Sequence, residues 1–142
     1  MIVSLVFNKR YEEAKAILRT EEKTMSRNAT LRLLGLNEAL EDKVQQVGTS
    51  PAAMRRILAG CYMMAEILRE EEYWGDAEEI YEQVVKRSVA MDEPFFLMSA
   101  RMCRAVCLKQ LGRKREVEQV KAQIPPGTAI LLEDGELRVE DL

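Results

Sequence analysis

The stretch "REEEYWGDAEEIYEQVV", from Arg69 to Val85, decides how this chain is read. Eight of its first eleven residues are acidic or aromatic. Two accounts compete: a cluster of carboxylates arranged for chemistry, or an acidic coat over a helix pair defined by the spacing of Trp74, Ala77 and Tyr81. The flanking periodicity favours the second. Ahead of the stretch, Met54, Ile57, Leu58, Cys61, Met64, Ala65 and Leu68 recur at steps of three and four, one broad apolar helix face. After Tyr73-Trp74-Gly75-Asp76 the period resumes in Ala77, Ile80, Tyr81, Val84 and Val85, with Glu78, Glu79, Glu82 and Lys86 on the opposite side. So short a break predicts two antiparallel helices.

Further helices follow on both sides. Gly48-Thr49-Ser50-Pro51 supplies a helix stop, a capping hydroxyl and a first-turn proline. Asp92-Glu93-Pro94 repeats that capping pattern ahead of the stripe Phe95, Met98, Met102, Ala105 and Leu108, which Gly112 ends. Val117, Val120 and Ile124 mark a shorter helix stopped by Pro125-Pro126. Upstream, Tyr11, Ala14 and Leu18 share one helical side, and Leu33, Leu36, Leu40, Val44 and Val47 another. The seven-residue spacing of Leu33, Leu40 and Val47 would suit a coiled-coil seam, but two heptads favour an ordinary packed helix. The opening MIVSLVF is open between a short helix and an edge strand. At the other end, "AILLEDGELRVEDL" alternates about Asp134-Gly135 and predicts a hairpin pairing Leu132 with Leu137 and Ile130 with Val139. Its apolar face is expected to cover the helical core, pair with MIVSLVF or meet another chain.

Composition bounds the class. The 142 residues, 47% hydrophobic and 32% charged with four prolines and seven glycines, are expected to form a soluble globular domain around one core. A net charge of −3 does not mark a general polyanion binder. MIVSLVF lacks the basic start and cleavage site of a signal peptide, and no run approaches the ~20 apolar residues of a membrane-spanning helix. An odd set of three cysteines within helical patterns argues for reduced thiols and a cytoplasmic location.

The pair from Cys61 to Val85 resembles the tetratricopeptide repeat, a family of stacked two-helix units. Ala65 and Leu68 match the small and large positions of its first helix, Ala77 and Tyr81 the small and aromatic positions of its second, and Trp74 the aromatic near the turn. Small residues let the helix axes approach while bulky neighbours fill the groove. A looser match covers Ser99 to Ile124, and Tyr11, Ala14 and Leu18 read as the second helix of a degraded first unit. Ala77 to Val117 spans 40 residues against the family's ~34, and no proline follows Val85. The expected architecture is all-α: stacked antiparallel helix pairs in a right-handed superhelix over residues 1–126, with a small C-terminal β-hairpin over 127–142. The resemblance implies an inner groove lined by Tyr62, Glu66 and Arg69 of one unit and Ser99, Met102, Val106 and Lys109 of the next. It implies non-catalytic binding of a peptide or helix of a partner protein. The lysine-asparagine pattern that holds peptide carboxylates in some members is absent.

Other functions find little support. The chain has no histidine, the commonest base near neutral pH and the commonest zinc ligand. Glu70-Glu71-Glu72 and Glu78-Glu79 therefore lack the partner that helical dimetal sites use, and read as solvated helix faces. Cys103 and Cys107 stand at ligand spacing but read as buried small hydrophobes. No GxxxxGK[ST], GxGxxG or GxSxG motif occurs, so no enzyme, metal or cofactor is expected. The basic run Arg101, Arg104, Lys109, Arg113, Lys114 and Arg115 lacks interleaved aromatics and reads as a charge complement to the acidic helices before it, between neighbouring repeats or between copies. The alternative function is self-assembly of copies through the hairpin or the 31–47 helix. A nucleic-acid-binding accessory role ranks below both.

Overall fold

The computed structural model of the chain describes residues 2–20, 27–133 and 135–142. Among them are seven helices: α1 (Ile2–Phe7), α2 (Tyr11–Arg19), α3 (Arg27–Val47), α4 (Pro51–Glu70), α5 (Trp74–Met91), α6 (Leu97–Gln110) and α7 (Lys114–Lys121). Strands β1 (Ala129–Leu132) and β2 (Gly135–Arg138) form an antiparallel hairpin, and a single 3-10 turn, Val139–Asp141, follows. The fold is all-α with a small C-terminal β-hairpin. Within it no helix of the described residues is long and apolar enough to cross a membrane.

The α4–α5 pair is built as its spacing demands. Ser50 Oγ accepts from the Ala53 amide at 3.2 Å and Pro51 opens α4, so two of the free amides of a helix start cost nothing. Ala65 and Ala77 are fully buried, together with Leu68, Ile80 and Tyr81. The corner between the helices closes with Tyr73 N–H on Leu68 O (2.8 Å) and Glu72 N–H on Arg69 O (2.9 Å). Glu72 takes the left-handed conformation this requires, with φ +66°. The same corner recurs at Lys9, Asp92 and Gly112, with φ of +61°, +52° and +74°. Only one of the four carries the glycine that advertises it in sequence.

That recurrence corrects the expected start of α6. Asp92 caps the end of α5, its amide on Val89 O and the Glu93 amide on Ser88 O, and does not begin the next helix. α6 starts at Leu97, with no side-chain cap, so Phe95 falls outside the core stripe and is 78% exposed. Met98, Met102, Ala105 and Leu108 keep the places expected of them on the apolar side of α6.

Of MIVSLVF, Ile2–Phe7 form a helix, α1, and Met1 lies outside the described residues. Ile2, Val3, Leu5, Val6 and Phe7 are all buried, because α1 is wedged against α2, α3 and α4. An edge strand would have turned alternate residues outward. Phe7 lies flat against Gly60 of α4, with the Lys43 ammonium 5.5 Å from its ring centroid. The assignment of α2 as the second helix of a first unit is not met. Its C-terminal end meets that of α4, where Tyr73 Oη donates to Leu18 O and Lys15 pairs with Glu70 at 2.8 Å. It is α3 that runs beside α5 in the same direction, through Arg32–Asp76 (2.7 Å), Asn37–Gln83 (2.7 Å) and Glu41–Arg87 (3.7 Å).

Apolar side chains fall into two clusters. The larger joins α1 to α6; the smaller holds Met102, Ala105, Leu108, Val117, Val120, Ile124 and Val139 between α6, α7 and the chain end. The hairpin covers helices, and its register differs from the expectation by two residues: Ile130 faces Leu137 and Leu132 faces Gly135. A shift of two preserves the face, so Ile130, Leu132 and Leu137 still point inward, while Leu131 is 86% exposed. Val139 leaves the ladder and is buried in the second cluster. Gly135, at φ +132°, adopts a backbone closed to other residues and lets β2 begin there. Of the expected turn pair, Asp134 lies outside the described residues.

The Phe7–Gly60 contact sets a test. Alanine at 60 would raise helix propensity by ~1 kcal/mol, but its Cβ would overlap Phe7 Cζ and both Cε atoms. We expect Gly60→Ala to destabilise the chain by about 1–2 kcal/mol, overpacking outweighing propensity. Phe7→Leu in the same chain should recover part of that loss in urea denaturation.

Candidate functional site

The carboxylates of Arg69–Val85 divide between surface and interior. Glu70, Glu72 and Glu79 are exposed, as expected of helix faces, whereas Glu71 and Glu78 are buried, which corrects their reading as solvated, and Asp76 is buried as well. Each of these buried carboxylates meets a cation from another helix: Glu71 takes Arg19 of α2 (2.9 Å), Asp76 takes Arg32 of α3, and Glu78 takes Arg104 of α6 (2.9 Å). Arg113, at the start of α7, also reaches Glu78, at 3.4 Å. The expected complementarity between the acidic helices and the basic run is thereby met by Arg104 and Arg113. Buried carboxylates are tolerated only when so paired, and these pairs set the order of helices around α4 and α5. Among the described residues no three potential metal ligands converge.

A second polar group lies on the side shared by α4 and α6. Tyr81 Oη donates to Glu66 Oε1, and Arg69 donates from Nη2 to Glu66 Oε2 (2.9 Å) and from Nε to Tyr81 Oη (3.0 Å). Burial pushes the Tyr81 phenol well above its usual range. Burial alone would lower Arg69, but Tyr81 and Glu66 beside it raise it, so the guanidinium stays charged. Cys103 approaches the same carboxylate. The network locks three side chains into one arrangement.

Beside this network stands a line of aromatic rings. Tyr62 meets Tyr81 edge-on at 6.2 Å between centroids and stacks on Phe96 at 4.7 Å, and Phe96 meets Phe95 edge-on at 4.8 Å. The ladder thus runs from a fully buried tyrosine to an exposed phenylalanine. At its outer end the Phe95 amide donates to Glu93 Oε1 (3.4 Å), and Glu93 lines a cleft of about 350 Å³ with Thr49, Pro51, Met54, Arg55 and Met91.

The expected groove residues divide between two places. Tyr62, Glu66, Arg69 and Ser99 come together, Ser99 hydrogen-bonding Tyr62. Met102 does not belong with them: it is fully buried in the second cluster and offers a partner nothing, because the chain end covers its side of α6. Lys109 is exposed and its Nζ donates to Asp141 O at 3.5 Å, on the same covered side. Val106 is half-buried on α6. Phe95 and Phe96 were missed as surface residues. Pro94 gave no signal of this, because a proline restricts only the residue before it and is as well placed at the first turn of a helix. Compared with known proteins, the chain matches no family model, no curated protein and no solved structure.

The buried thiols carry a pH prediction. Burial raises Cys61 to about 11 and Cys103 to about 12, and pushes Cys107 up as well. Unfolded thiols ionise near 9, so the native state alone holds these protons above that pH. Stability should be intact below pH 9 and fall as pH rises toward 12, seen as a declining urea midpoint. In the native chain at pH 8 all three thiols should resist Ellman's reagent and react together on unfolding.

Proposed function

We propose that the chain is a non-catalytic protein-binding module, holding an apolar segment or helix of a partner on the surface made by α4 and the start of α6. The observation that carries this reading is the aromatic ladder. A phenylalanine at 78% exposure, backed by Phe96 and Tyr62 and ending beside a cleft with Met54 and Met91, is an adaptable apolar surface on a rigid base. The Glu66–Arg69–Tyr81 network supplies the base, since its geometry is fixed before any partner arrives. Helices that run side by side in the same direction, α3 with α5 and α4 with α6, support the tetratricopeptide-like reading of the stack. Three buried, protonated thiols fit work in a reducing compartment such as the cytoplasm.

Peptide-library selection against the full chain tests this proposal. Selected peptides should carry large apolar or aromatic anchors and should lose about tenfold or more in affinity on Phe95→Ala, an anchor-sized loss. Because Phe95 is exposed, the variant should keep the helical circular dichroism. Binders indifferent to Phe95→Ala would remove this surface from consideration.

A further inference from the structure

The half of the helical layer that holds Met102 and Lys109 is occupied by the chain itself. Ile130 packs on both apolar clusters, Leu132 on the first, and Leu137 and Leu142 on the second. Lys109 and Lys121 donate to the backbone oxygens of Asp141 (3.5 Å) and Leu142 (3.2 Å). At the far end of β1, Glu133 lines one cleft with Lys15, Arg69 and Trp74. The hairpin therefore reaches from α6 and α7 across to α2 and the end of α4.

The two strands are attached as a ligand would be, while Val139 just beyond β2 is a buried member of the second cluster. Among the described residues, the hairpin's backbone–backbone hydrogen bonds stay within residues 125–142, and only the lysine side chains of α6 and α7 reach its backbone, at Asp141 and Leu142. Each strand has four residues, and a lone hairpin of that size is marginal in water. Ala129, Leu131, Glu136 and Arg138 face outward. Pro125-Pro126-Gly127, with Gly127 at φ +80°, joins it to α7 as a separate corner. What it covers is apolar: Met102, Ala105, Leu108, Val117 and Val120.

We propose that this hairpin is a built-in occupant of a second docking site, and that a partner takes its place with an extended segment of the same chemistry. That segment carries branched apolar residues at alternate positions, as Ile130 and Leu132 stand, followed by a carboxylate directed toward Lys15. Alternate residues of an extended strand share one face, so two anchors enter the apolar surface where the two clusters meet, Ile130 on both and Leu132 on the first, while the residue between them stays in water, as Leu131 does. The inference shares with the proposed function the premise that the helical layer binds chain segments, but stands on other residues.

The probe is a fluorescently labelled synthetic peptide of residues 127–142, titrated against two full-length chains, natural and Ile130→Ser/Leu132→Ser. The docked hairpin should reduce apparent affinity in the natural chain by the fraction of sites it fills, so the variant should bind the peptide about tenfold more tightly. A scrambled peptide should bind neither. Trp74, the single tryptophan and a neighbour of Glu133 in the cleft, should shift its emission in the variant and return when peptide is added. Phe95→Ala should leave this binding unchanged, which separates failure here from failure at the aromatic ladder. Equal or absent binding by both chains, or loss of helical dichroism in the variant, would overturn the proposal. In the natural chain, the β1–β2 amides should exchange with solvent about 100-fold faster than buried amides of α5. Equal protection would show the hairpin to be part of the cooperative core.

Discussion

The close approach of α4 and α5 is the constraint on which the rest of the molecule depends. Ala65 of α4 and Ala77 of α5 are fully buried in the larger apolar cluster, together with Leu68, Ile80 and Tyr81. Interiors pack as densely as organic crystals, so one methyl group at such a point fixes how near two helices can come. Tyr81 is brought by this approach within reach of Glu66 and Arg69, and the surface shared with α6 takes its shape from there.

Around that pair the acidic stretch acts as a hub. Arginines from α2, α3, α6 and the start of α7 converge on Glu71, Asp76 and Glu78. Buried ion pairs contribute little net stability, since desolvation offsets most of their attraction, but a missing partner is costly. Their effect is thus on which neighbour sits where. Apolar contacts hold the helices together without direction, whereas a carboxylate buried at one place accepts only the helix that carries its cation. The same order leaves two surfaces: an open one ending in Phe95, and one that the C-terminal hairpin covers.

Much of this fold was legible because apolar periodicity survives in sequence. The four helices from Pro51 onward, the packed helix ending at Val47 and the inward face of the hairpin follow from spacing alone. Three features were not legible for physical reasons. Left-handed corners at Lys9, Glu72 and Asp92 lack the glycine that marks Gly112, so Asp92 read as the start of a helix although it ends one. A charged residue shows its charge in sequence but not its burial, and Glu78 looked solvated until α6 and α7 brought Arg104 and Arg113 to it. A two-residue shift in a hairpin leaves its face unchanged, so alternation alone could not set the register. Of the candidate site, the tetratricopeptide resemblance grouped Tyr62, Glu66, Arg69 and Ser99, and these four lie together. Met102 was misplaced because one sequence spacing serves a groove and a core equally.

The most direct test of the account is equilibrium urea denaturation of Ala65→Leu and Ala77→Leu, with Ala52→Leu on the exposed start of α4 as control. Overpacking at the two buried positions should lower stability by about 1–3 kcal/mol each, while the control stays within about 0.5 kcal/mol. Leucine accepted at Ala65 and Ala77 with no change in stability would contradict the close approach of α4 and α5, and with it the shape of both surfaces.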